Sequence, residues 1–115
     1  MDKNIVQDVV VPASVSLEDK EGYAVGSDGV LTAALGEWAA GVVREGMPAD
    51  QASPIVIHGR CTACVNGASV NVAVDDPLCA SSNGKFEKAT VGTHEVRAHA
   101  KAAVTTDTTA EIELL

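Results

Sequence analysis

Apolar and polar positions along this chain alternate over short stretches and are broken at close intervals by turn residues. SPIVIHG (53–59) places Ile55 and Ile57 on one face of an extended segment, with Val56 and His58 on the other. SVNVAVDD (69–76) places Val70, Val72 and Val74 opposite Ser69, Asn71 and Ala73. HEVRAHAKAAV (94–104) and TAEIELL (109–115) read as two further strands, with Ile112 and Leu114 facing inward. Gly26-Ser27-Asp28-Gly29 lies between two apolar runs, and Asn83-Gly84 repeats the arrangement. Both predict hairpins, because such pairs adopt the positive φ that tight strand connections need.

WAAGVVREG (38–46) reads as a strand in which Gly41 permits a close backbone approach. Helix competes at two places. AALGEWAAGVV (33–43) is weakened by Gly36, Gly41 and paired valines, and DPLCASS (76–82) offers one turn starting at Pro77. The pattern therefore predicts a mainly β fold with at most one or two short helices.

Residues 1–22 differ from the rest. Val9-Val10-Val11 is followed by Pro12 and the acidic SLEDKEG, with no hairpin signal. Two readings stand: an extended N-terminal arm (1–22) ordered against a partner and preceding a β-rich domain (23–115), or an edge strand completing the domain's own sheet.

Composition narrows the function. A chain of 115 residues, 46% apolar, can bury one modest core. The apolar residues are mostly Ala and Val, with one each of Phe, Trp and Tyr, which suits thin β layers. A net charge of −8 and scattered basic residues argue against nucleic acid and against anionic membrane surfaces as partners. No apolar run reaches bilayer length, and MDKNIVQDVVVPAS lacks the basic and apolar regions of a secretory signal. Three cysteines with no such signal indicate reduced thiols.

Those thiols are the main candidate chemistry. HGRCTACV (58–65) spaces Cys61 and Cys64 as in half of a zinc-binding pair, and Cys79 with one histidine, His58, His94 or His99, completes a four-ligand set. A strand opposes this reading, since residues three apart point to opposite faces. The alternative is that all three cysteines are small apolar fillers. Catalytic motifs are lacking: no phosphate-binding glycine loop, no nucleophile elbow, and no nucleophile placed near His58, His94 or His99. Trp38 is a core anchor or an interface residue.

The order GYAVGSDGVLTAAL, EWAAGVVREG, SPIVIHGRCTACV, DPLCASSNGKFEKAT and a strand ending in AEIELL resembles the head decoration, or cement, proteins of tailed bacteriophages. The similarity runs from Gly22 to Leu115, and phage lambda's head decoration protein is a looser match. The resemblance implies a small β-barrel, or β-tulip, with an extended N-terminal arm. It implies a cofactor-free structural protein, not an enzyme. It also implies a homotrimer on the outer surface of the virion capsid, made in the host cytoplasm and bound to the major capsid protein. The arm contacts would then be Ile5, Val6, Val9, Val10 and Val11, and Trp38 a core or trimer-interface residue. The pair Cys61 and Cys64 is a departure from the family pattern.

Overall fold

The computed structural model describes residues 4–12 and 15–115. It contains eight strands: β1 Ile5–Val10, β2 Ala24–Val25, β3 Gly41–Val43, β4 Ala52–Asn66, β5 Pro77–Ala80, β6 Phe86–Lys88, β7 Ala98–Ala100 and β8 Asp107–Leu114. Among the described residues strand content is 43% against 3% helix, so the fold is mainly β as its pattern predicts. Neither competing helix forms. Residues 33–43 end in β3, 77–80 become β5, and one 3-10 turn occupies Ser82–Gly84.

Strands β4, β6, β5, β7 and β8 close into a five-stranded barrel, because β8 pairs with both β7 and β4. The longest seam is β4 against β8, antiparallel from Gly59↔Leu114 to Asn66↔Asp107. Phe86, Leu78, Ile112, Leu114 and Val65 fill the interior. Burying each of these side chains contributes about 1.5–3 kcal/mol. Ile112 and Leu114 face inward as the alternation of AEIELL predicts.

The first half of β4 lies between β1 and β3, with β2 beyond β3. This smaller layer has its own core of Val9, Val11, Leu17, Val25, Val43 and Ile55. Strand β4 thus serves two cores: Ile55 packs in one, and Val56, Ala63 and Val65 in the other. A bulge makes this workable. Ile5 pairs with His58 and Val6 with Val56, so Ile57 has no partner on β1. The extra residue switches the face turned to the barrel from even (Val56) to odd (Cys61, Ala63, Val65).

Strand β4 also coils sharply. Val43 pairs with Ile55, its O accepts from Gly22 N at 2.9 Å, and Gly22 O accepts from Cys64 N at 2.8 Å. Three lateral steps of about 5 Å thus join residues that a straight strand would separate by about 30 Å. Gly59, at φ 101, supplies a conformation that few side-chain-bearing residues adopt.

Both predicted turns form. Asn83 (φ 60) and Gly84 (φ 68) connect β5 to β6, and Gly26 N donates to Val30 O at 3.0 Å around Asp28-Gly29.

Other expectations need correction. SVNVAVDD is not a strand; a single bridge, Val72↔Val104, holds it, and Val70 and Val74 are exposed. Ala73 N donates to Asp76 Oδ2 at 2.8 Å and Asp75 sits at φ 69, so the segment turns before it can pair. HEVRAHAKAAV contributes only Ala98–Ala100, since Thr90–His94 forms a hydrogen-bonded turn. WAAGVVREG contributes only Gly41–Val43. Ile5–Val10 does not project as an arm: it pairs with β4 from Ile5↔His58 to Val10↔Ala52, and Val9, Val11 and Leu17 are buried. Here the edge-strand reading holds, because these side chains have apolar partners within the domain. Residues 1–3, 13 and 14 of the expected 1–22 arm lie outside the described residues.

Candidate functional site

The cysteines do not converge. Cys61 packs with Ala63 and Val65 on the barrel side of β4, whereas Cys64 takes the opposite face beside Tyr23. Cys79 lies in β5, and His58 is exposed on β4. Among the described residues no group of three His, Cys, Asp or Glu side chains is placed to hold a metal. The set Cys61, Cys64, Cys79 and His58 is therefore not assembled; an extended strand separates its members as alternation requires. Burial pushes the Cys61 thiol up to about 11 and raises Cys64 and Cys79 as well. Raised thiols keep their protons near neutral pH, which suits packing and not nucleophilic chemistry.

A cluster that sequence reading missed surrounds Arg97, which is 4% exposed. Its Nε donates to Ala39 O at 2.8 Å and its Nη1 to Leu115 O at 2.8 Å. Nη2 donates to Ala40 O at 3.0 Å and to Ile57 O at 2.8 Å. These acceptors sit just before β3, just after β8 and at the β4 bulge, where the ladders leave carbonyls without partners. The planar guanidinium fork satisfies them together. Burial lowers the Arg97 pKa, the expected effect of desolvating a cation. The guanidinium also lies 4.9 Å from the centroid of the Trp38 ring. Trp38 is 54% exposed, so it is not a core anchor; Arg97 holds one face of its indole and the rest meets solvent. No motif marks Arg97 in the sequence; the only signal was an arginine amid Val96, Ala98 and Ala100 in an Ala-rich stretch.

The expected contact residues divide. Val9 and Val11 are core, whereas Ile5 (52%), Val6 and Val10 (67%) are exposed on β1, which pairs with β4 alone. Val9 and Val11 are thus unavailable to a partner while the domain stays folded. In β1 both faces of Ile5–Asp8 are exposed, so this end of the strand extends beyond the small core. An exposed apolar edge strand is a pairing surface in physical terms. Beside it, a cleft of about 670 Å³ runs from Asn4 past Val42 and Arg44 to Thr62 in the concavity of β4.

No helix among the described residues is long and apolar enough to cross a membrane. No protein-family model matches the chain, and no curated protein sequence matches it.

Proposed function

We propose that this chain is a head decoration protein of a tailed bacteriophage. In this reading it binds the outer surface of the expanded capsid, contacts the major capsid protein and cements neighbouring capsomers against internal DNA pressure. It acts as a homotrimer and carries out no reaction. The observation that carries the reading is the set of exposed apolar side chains Ile5, Val6 and Val10 on β1, an edge strand of the smaller layer that pairs with β4 alone. The residue-level resemblance of the 22–115 segment to cement proteins supports it, as does a small β-barrel fold.

The mechanism is linkage. A protein that binds the expanded lattice and not its precursor stabilises that lattice by RT ln(1 + [L]/Kd), about 2.7 kcal/mol per site at a hundredfold excess over Kd. Rigid β domains suit this role, because little ordering entropy is lost on docking.

The test is co-sedimentation with expanded and unexpanded heads of the phage that carries the gene. The expected result is saturable binding to expanded heads alone, weakened at least tenfold by the double substitution Ile5→Asp, Val10→Asp. Circular dichroism of the variant checks that the barrel persists. Absence of binding to expanded heads overturns the proposal.

A further inference from the structure

We infer that the free edge of β1 accepts an extended partner segment carrying a basic residue opposite Asp8 and an apolar residue opposite Val6. The inference rests on β1 being the docking surface, not on the partner being a capsid protein.

Hydrogen-bond parity decides which main-chain groups of β1 are free. Val11 N donates to Gln51 O at 3.0 Å, and Asp50 N donates to Val11 O at 2.8 Å. Odd-numbered positions of this segment therefore turn their main chain toward β4, and Val6, Asp8 and Val10 turn theirs outward. At Val10 that edge is occupied, because Gly29 lies against Val10 O so closely that a Cβ would not fit. Val6 and Asp8 remain, each offering one N–H and one C=O. Among the described residues no main-chain group bonds to either from the outer side.

Val9 and Val11 point into the small core, so Val6, Asp8 and Val10 share the outer face. Asp8 is the one charged residue in IVQDVV, and among the described residues it forms no ion pair. Directly opposed opposite charges stabilise a strand pair and like charges destabilise it.

The same parity disfavours a second copy. Two β1 edges pairing antiparallel must match outward residues, which brings Asp8 against Asp8, against Val6, or against Asn4 beyond the start of the strand. The first is repulsive, the second buries a carboxylate beside an apolar side chain, and the third matches only Val6 with Val6 inside β1 and gives Asp8 no countercharge. Asp8 thus guards the edge against self-pairing, a common use of charge on edge strands. A basic partner segment turns the same carboxylate into an attraction. The occupant is therefore a strand with Lys or Arg at the central position, recognised by strand addition.

The experiment uses the full chain labelled with nitrogen-15 and two blocked peptides, Val-Thr-Lys-Thr-Val and Val-Thr-Glu-Thr-Val. Amide shifts are followed by NMR through millimolar peptide. The expected result is saturable shifts at Val6 and Asp8, with the Lys peptide binding about fivefold tighter than the Glu peptide. Asp8→Lys should reverse the preference and Asp8→Asn should abolish it. Equal affinities, shifts elsewhere on the barrel, or no saturable shift with either peptide overturns the inference. If the peptides discriminate while heads are not bound, the edge assignment stands and the capsid reading falls. If heads are bound and the peptides are not distinguished, the edge assignment alone falls.

Discussion

Arg97 offers the sharpest test of how this barrel is held together. Arg97→Met keeps an unbranched apolar stem and removes the guanidinium, leaving the carbonyls of Ala39, Ala40, Ile57 and Leu115 without their donor. Hydrogen bonds from a charged donor contribute about 1.5–3 kcal/mol each, but desolvating the cation offsets several kcal/mol. The net loss expected is about 3–5 kcal/mol, a large share of the roughly 5–15 kcal/mol that domains possess. Arg97→Lys keeps the charge, yet an ammonium cannot reproduce the planar fork, and about half the loss should remain. The assay is equilibrium urea unfolding followed by far-ultraviolet circular dichroism. With a slope near 2 kcal/mol per molar urea, the Met variant's midpoint should fall by about 2 M. Trp38 fluorescence reports in parallel on loss of the cation beside the indole. If the Met variant loses less than about 1 kcal/mol with an unchanged slope, the carbonyls are satisfied by water and Arg97 does not hold these elements together.

The half-buried thiol of Cys61 predicts a pH dependence. The folded pKa of Cys61, about 11, lies above its ordinary 9.0, so stability is full below pH 9. Between pH 9 and 11 the unfolded chain releases the proton first, and about 2 kcal/mol should be lost. Urea midpoints at pH 8 and 10.5 for the wild type and Cys61→Val check this: the wild type should show the larger drop, and parallel drops would refute the assignment. Glycine substitutions separate backbone strain from crowding. Gly29 (φ 77) and Gly92 (φ 88) both adopt positive φ, but only Gly29 packs against a neighbouring strand, while nothing lies near a Cβ at Gly92. Gly92→Ala should cost about 1 kcal/mol and Gly29→Ala at least 1–3 kcal/mol more, measured by thermal unfolding.

What was legible in the sequence is what local chemistry decides. Asn83-Gly84 and Asp28-Gly29 make their turns because positive φ is cheap there. AEIELL shows its alternation because β8 has one face on the barrel core. SVNVAVDD carries the same alternation and does not pair, since Asp75 and Asp76 turn the chain and only Val104 meets it. Period alone does not create a neighbouring strand. The β4 bulge was hidden for a related reason: Ile55, Val56 and Ile57 are apolar on both faces, so no pattern marks where the register slips. The expected surface strand at β1 was half legible. Ile5, Val6 and Val10 are exposed, while Val9 and Val11 are claimed by a core that includes Leu17 and Val43, distant in sequence. Arg97 was invisible because its ligands are main-chain carbonyls, which every residue carries.

The sharing of β4 between two cores also governs how the chain reaches its fold. The partners with which it pairs at greatest length, β1 on its first half and β8 on its second, lie far apart in the sequence, so its pairings close loops of about 40 residues or more. Such closures carry entropy before any contact rewards it, and barrels built on them fold in milliseconds to seconds. A growing chain cannot seal the barrel until β8 has left the ribosome. Until then Cys61, Ala63 and Val65, the barrel-facing side chains on the second half of β4, have no cover along its longest seam, and at high expression this is the segment through which newly made chains would adhere to one another.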